Sequence, residues 1–219
     1  MPRALFEKTG NAVWMSHLDL MRLFQRVFKR AGLNLTHTQG FNPRPSVSIA
    51  LPLSVGVESR CELLDFELEG QAVSNEEIRD RLNAALVTGV KVLAVYDGGR
   101  KIKDLALLDC VVTMEYDAGV PEDAGEWIAA LFRRDSLTVE KKGKNGVTEQ
   151  DIIPMILKIG VDQVDGNTLQ LGARICCQNP TLNPTQLVAA VERYLPEYKP
   201  DFARIHRIEI YDTEGNVFR

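Results

Sequence analysis

Between Arg3 and Tyr96 the hydrophobic period of the chain alternates between two residues and about 3.6, and the order of the alternation constrains the fold. Arg3 to Lys8 reads as a short strand followed by a turn at Thr9-Gly10-Asn11. Ser16 then opens a helix, since Ser16-His17-Leu18-Asp19 has the form of a capping box with the acid three residues after the cap. Met21, Phe24, Val27, Phe28 and Ala31 follow at helical spacing as a core-facing stripe, and Gly32 suits the residue just past the helix end. Pro43 and Pro45 exclude a helix from the next segment, which reads as an extended loop. Ser46 to Leu53 and Cys61 to Glu69 read as strands. In the second, Leu64, Phe66 and Leu68 alternate with Asp65, Glu67 and Glu69. Ser74 caps a second helix with Ile78, Leu82 and Leu86 inward, and Val90 to Tyr96 is a further strand.

Strand, helix, strand, strand, helix, strand is the order of two split β-α-β units, the ferredoxin-like arrangement. The same order recurs after Gly98-Gly99-Arg100-Lys101. Leu108 to Asp117 reads as a strand and Glu122 to Phe132 as a helix. Leu137 to Lys142, Ile156 to Gln163 and Thr168 to Ile175 supply strands, with a hairpin turn at Asp165-Gly166-Asn167. Pro184 to Tyr194 is the second helix and Arg204 to Tyr211 the last strand. The expected fold is therefore α+β: tandem ferredoxin-like (βαββαβ) halves, residues 1–100 and 101–219, with antiparallel sheets and helices packed on one face.

Composition narrows the function. Hydrophobic residues at 45% and charged residues at 26% suit a globular chain and argue against disorder. No apolar run approaches the roughly 20 residues of a membrane span, and Met1 to Lys8 lacks a signal-like apolar stretch, so a cytoplasmic location is expected. The net charge of −4 conceals a basic first quarter: residues 1–60 carry eight Lys and Arg against three Asp and Glu. That asymmetry favours an anionic partner near the N-terminus. Cys61, Cys110, Cys176 and Cys177 form no C-x-x-C pair and read as buried thiols. The phosphate-binding, dinucleotide, H-E-x-x-H and G-x-S-x-G motifs are all missing from the sequence, so no cofactor or metal is expected. The C-x-x-x-C-x-x-C iron–sulfur motif is missing as well.

The residues that carry chemistry concentrate between 16 and 62. On the first helix His17 falls on the line of Met21, Phe24 and Phe28, at the edge of the apolar face. Asp19, Arg22, Arg26 and Arg30, with Lys29, lie on the opposite side. Ser16 and Asp19 serve the cap or a ligand. His17 is a candidate for acid–base work, to which the ordinary pKa range of histidine is suited. The cationic ridge is either a solvated face or a phosphate-contacting surface. In the loop, Gln39, Asn42 and Arg44 offer donors, Phe41 a stacking face, and Gly40 close backbone approach. Glu58, Ser59 and Glu62 are expected to flank the turn between the two following strands, where the two carboxylates either serve acid–base work or belong to an exposed hairpin end. The run Lys141-Lys142-Gly143-Lys144-Asn145-Gly146 reads as a hairpin tip, with a second anion contact as the alternative.

Trp14-Met15-Ser16-His17-Leu18-Asp19-Leu20-Met21-Arg22, Lys29-Arg30-Ala31-Gly32-Leu33, Gln39-Gly40-Phe41-Asn42-Pro43 and Gly56-Val57-Glu58-Ser59, in this order, resemble an uncharacterised radical-SAM-linked protein family. Its domain of unknown function occurs alone or fused to radical SAM proteins. The resemblance is strong over residues 3–70 and diffuse beyond. It implies a radical SAM protein as partner and no established activity. A histidine more often occupies the position of Arg44, which weakens any role there in proton uptake while an arginine still suits an anion. By architecture alone the chain is also similar to the repeat-processing endoribonucleases of CRISPR systems, with His17 at the matching position, although their C-terminal glycine-rich loop is absent.

Three functions follow as expectations. The first is an accessory module, without turnover of its own, that presents RNA or another anionic substrate to a radical SAM enzyme. The second is a protein-docking adaptor, in which Phe41 and Val57 matter more than the arginines. The third is a metal-independent RNA-processing enzyme using His17.

Overall fold

The computed structural model of the chain describes residues 1–70, 73–143 and 146–219. It is a mixed α+β protein whose chain divides into two compact units, residues 1–104 with Phe218 and Arg219, and residues 105–217.

The first unit runs β1 (Pro2–Lys8), a 3-10 turn (Gly10–Trp14), α1 (His17–Arg30), β2 (Val47–Ala50), β3 (Val57–Phe66), α2 (Asn75–Ala85) and β4 (Val90–Asp97). β1 pairs antiparallel with β3 and β4, and β2 with β3, giving the order β4-β1-β3-β2. Each helix links two strands that have a third between them, which is the split β-α-β connection.

Local chemistry sets the ends of α1. Ser16 Oγ accepts the Asp19 amide at 3.2 Å. At the other end Gly32 (φ +67) takes the left-handed position, while Leu33 N donates to Phe28 O and Gly32 N to Lys29 O, a Schellman motif. The buried face of α1 is Leu20, Phe24, Val27 and Phe28. Phe24 meets Phe6 of β1 edge-on with centroids 4.9 Å apart, and Phe28 meets Phe66 of β3 at 4.9 Å. These four rings, with Leu64, Ile78 and Leu82, form the core beneath the helices; burying each ring contributes on the order of 1.5–3 kcal/mol.

The other side of this sheet carries a buried charge pair. Arg3 stands opposite Asp65 on β3 and donates to it from Nε at 2.6 Å and Nη2 at 3.0 Å. The Arg3 guanidinium lies 5.7 Å from the Phe218 ring centroid. Gly99 packs so closely on it that a Cβ there would fall 2.7 Å from Arg3 Cζ, so no other residue fits without displacing the pair.

The second unit runs β5 (Leu105–Glu115), α3 (Ala124–Leu131), β6 (Thr138–Gly143), β7 (Gly146–Asp151), β8 (Ile156–Asp165), β9 (Thr168–Cys176), α4 (Thr185–Tyr194) and β10 (Phe202–Asp212). Its sheet has the order β10-β5-β9-β8, all antiparallel. β6 and β7 form a separate hairpin between α3 and β8, tied to α4 by Tyr194 Oη donating to Thr138 O and by Arg193 pairing with Glu149. The sequence reading has no β7, because Gly146–Asp151 is polar and mostly exposed on both faces and so carries no alternation. Lys144 and Asn145 of the lysine run lie outside the described residues.

On β5, Leu108, Cys110, Val112 and Met114 are buried and alternate with half-exposed Asp109, Val111 and Thr113. Asp109 accepts two hydrogen bonds from Arg174 (2.7 and 2.8 Å) and one from Tyr211 Oη (2.8 Å). Desolvation pushes its carboxyl up, but the bonds from Arg174 and Tyr211, helped by the charges of Arg174 and Lys158, outweigh this and hold it below the usual carboxylate range. A depressed folded-state pKa contributes stability that is present above the unfolded value of about 3.9 and lost as pH falls through the folded one. Asp109→Asn is therefore expected to unfold more easily than wild type at pH 6, with the gap closing as the medium is acidified below about pH 4. Urea titrations across that range measure it, and a gap that stays constant contradicts the assignment.

Candidate functional site

The N-terminal turn of α1 is built around Ser16. Besides accepting the Asp19 amide, Ser16 Oγ donates to the Asp19 carboxylate at 2.7 Å, and Arg22 Nη1 lies 3.3 Å from the same carboxylate. The hydrogen bond from Ser16 is the main reason the Asp19 carboxyl titrates below its ordinary range, with Arg22 adding to it. Both side chains are thus engaged in holding the helix end. His17 is half-buried on the side of Leu20 and Phe24, as its place at the edge of the apolar face suggests. Its Nδ1 is shielded from solvent and has no hydrogen-bond partner.

Below this turn lies a charged layer that periodicity does not reveal. Lys8 is buried in β1 on the face of Ala4 and Phe6, and its Nζ donates to Met15 O at 3.0 Å, which pins the residue before the cap. Glu62, opposite Phe6 on β3, is buried too. This corrects the expectation that Glu58, Ser59 and Glu62 flank an exposed turn. Gly56 (φ +84) completes the turn, its amide bonded to Val13 O and the Trp14 ring packed against it, so β3 begins at Val57. Ser59 is fully enclosed with its Oγ accepting the Cys61 amide, and Glu58 accepts the Gly10 amide at 3.1 Å. Val57, expected as an exposed contact of the adaptor, is buried.

Arg22, Arg26, Lys29 and Arg30 are all exposed along α1. On one flank Arg22, Arg26 and Arg30 line a groove of about 420 Å³ with Asp19, Leu23 and Val87. Arg30 Nη2 is anchored there by the Ala85 carbonyl at 2.8 Å. On the other flank Gln25 and Lys29 line a cavity of about 340 Å³ with Phe28, Leu35, His37 and Pro45. The helix is thus a cationic ridge between two depressions.

The second depression leads to the loop. Its stem is held by backbone bonds from Ser46 N to Thr36 O and from Thr38 N to Arg44 O. The Arg44 amide also donates to Thr38 Oγ1, and Thr36 N to Glu67 O ties the stem to the chain beyond β3. From this stem Gln39, Gly40, Phe41, Asn42 and Arg44 project as an exposed finger, with Phe41 fully in solvent. The structure therefore brings the stem of the finger, through His37 and Pro45, beside Lys29 and Gln25. It sets Arg22, Arg26 and Arg30 toward the far flank, and it leaves Ser59 inside the sheet. His37 and Gln25 escape the sequence reading, although the alternation of buried Leu33 and Leu35 with exposed Asn34 marks the start of an extended stem.

Among the described residues no three His, Cys, Asp or Glu side chains converge as metal ligands. All four cysteines are free, and Cys61, Cys110 and Cys177 are buried. Burial pushes the Cys110 and Cys177 thiols up to about 12, which leaves them protonated and unreactive at neutral pH.

A protein-family profile described as "Uncharacterized protein conserved in bacteria (DUF2344)" matches residues 2–184. The chain belongs to that family. The DUF2344 span takes in β1 to β9 and every candidate residue above, and it ends just before α4. No curated protein matches the chain. Among solved structures it is similar to a chain of a Cbf5-Nop10-Gar1 complex, at 10% identity and a TM-score of 0.50 over 95% of this chain and 48% of that one. It is also similar to a chain of the archaeal box H/ACA sRNP Nop10-Cbf5 complex, at 11% identity and a TM-score of 0.46 over 94% and 46%. The DUF2344 chain spans less than half the length of either, and at such identity the first likeness is one of fold alone. No helix among the described residues is long and apolar enough to cross a membrane.

Proposed function

We propose that this DUF2344 protein is a cytoplasmic accessory module of two ferredoxin-like halves that presents RNA, or another anionic substrate, to a radical SAM enzyme. The observation that carries the reading is the exposed row Arg22, Arg26, Lys29 and Arg30 on a rigid helix, next to a finger whose only large apolar group, Phe41, stands free in solvent. Cations at helical spacing suit a phosphate backbone, and a lone exposed aromatic ring suits an unstacked base. The strand orders β4-β1-β3-β2 and β10-β5-β9-β8 support the two-halves reading. The radical SAM partner rests on the resemblance of residues 3–70 to proteins linked to such enzymes.

The docking-adaptor reading has its own observation. Trp14, Leu18 and Val55 are exposed by 63%, 64% and 53% around the start of α1, an apolar group that RNA does not require. Affinity capture of the tagged chain from a bacterial extract separates the two. Recovery of a radical SAM protein together with RNA, the RNA lost in Arg22→Glu/Arg26→Glu, is the expected result. Recovery of that protein without RNA, indifferent to the charge reversal, decides for the adaptor, and recovery of neither refutes the module.

A further inference from the structure

The second unit carries a recess that the first unit's chemistry does not use. On the open face of its sheet the residues stand in registered rows across the strands. Lys158 pairs with Arg174, and Arg174 with Asp109; Gly160 pairs with Gly172, and Gly172 with Val111; Asp162 pairs with Gln170, and Gln170 with Thr113. The middle row puts two glycines face to face inside strands, where glycine is unfavourable. Neither has a positive φ, and a Cβ on either would meet nothing within 4 Å. Neither a left-handed backbone nor tight packing calls for glycine at these two positions, and close approach of another molecule to the backbone is one of the reasons a strand carries it.

Around this floor is a cavity of about 450 Å³, with Lys158 and Arg174 on one side, Asp162 on the other, and Ile208 at its rim. That volume lies within the ordinary range for small-ligand sites. Arg174 is held in one plane. Asp109 grips it with two hydrogen bonds, and its guanidinium lies 4.1 Å from the centroid of Tyr211, whose hydroxyl donates to the same carboxylate. A fixed guanidinium plane is a surface on which a nucleobase stacks. Lys158 supplies donors and Asp162 acceptors, about 13 Å apart along β8 at roughly 3.3 Å per residue, which leaves room for one ring system between them. Two cations and two carboxylates balance, so the recess suits a neutral, hydrogen-bonding ring better than a phosphate group.

We infer that the glycine-floored recess between β5, β9 and β8 binds a purine or pyrimidine ring, from a free nucleotide or from a single-stranded RNA. It goes beyond the anion-binding role of the first unit and shares no residue with it.

Gly160→Val/Gly172→Val tests it in the full chain. Valine suits strands and would point into open space, so the unfolding midpoint should be unchanged or higher while the floor is filled. In a Phe41→Ala background, used in every arm so that the finger's ring adds no base preference of its own, the intact recess is expected to bind a short oligouridylate about tenfold or more tightly than an abasic ribose-phosphate chain of equal length, and the valine variant to bind both alike. Arg174→Lys, which keeps the charge and loses the plane, should reduce the preference without weakening the abasic complex. Uridine monophosphate separates the sources: saturable binding lost in the valine variant identifies a free nucleotide, and an effect confined to the oligomer identifies RNA, both supporting the site. A base preference that survives in the valine and lysine variants, or that the intact recess lacks, overturns it. Arg22→Glu/Arg26→Glu should weaken both oligomers equally, so this inference and the first unit's role fail separately.

Discussion

Asp65→Ala is expected to destabilise the first unit by about 3–5 kcal/mol, the usual cost of leaving one partner of a buried ion pair behind. Arg3 is the partner left: its side chain is only 4% exposed and packs against Gly99 and Phe218. Each unit contains one tryptophan, Trp14 and Trp127, so Trp127→Phe leaves a fluorescent reporter for the first unit alone. Urea unfolding followed at Trp14 should show the transition moved to much lower denaturant. Arg3→Met combined with Asp65→Ala should recover much of the loss, because the double variant leaves no charge stranded. A single-variant cost under about 1 kcal/mol, the scale of a surface pair, would mean that the Arg3–Asp65 contact is solvated.

Arg22→Glu/Arg26→Glu has the largest expected effect on binding. The two reversals exchange attraction for repulsion at two phosphate positions, and together they should weaken a single-stranded oligoribonucleotide by roughly a hundredfold at low salt. Both side chains are exposed, and the Arg22–Asp19 pair is a surface contact worth little, so the fold should be unaffected. An equal melting temperature for the variant and wild type would confine the change to the surface.

Much of this was legible in the residues themselves. Ser16 with Asp19, the Phe24–Phe28 stripe and Gly32 mark α1 almost to the residue, because each acts through its own helix turn. The order of elements in the first unit followed from alternation such as Leu64 and Phe66 against Asp65. What stayed hidden was set by distant partners. Lys8 and Glu62 are charged residues at buried positions, and only the folded sheet brings Met15 O over Lys8. Ser59 looked like a turn residue because Gly56 and Val13, far apart in sequence, close that turn together. The finger was legible as a proline-pinned loop. Its stem was not, since the bonds of Thr36 and Ser46 reach across β3 and carry no hydrophobic period. The glycines at 160 and 172 become conspicuous only in register.

The central claim is that the α1 ridge binds a phosphate chain, and salt dependence tests it most directly. Anisotropy of a labelled single-stranded oligoribonucleotide, titrated with wild type and with Arg22→Glu/Arg26→Glu across a salt series, gives the slope of log K against log salt for each. The ridge predicts a steep slope for wild type and a slope shallower by about 1.4 for the variant, about 0.7 for each phosphate no longer neutralised. Equal slopes and equal affinities, or binding indifferent to salt, would contradict it.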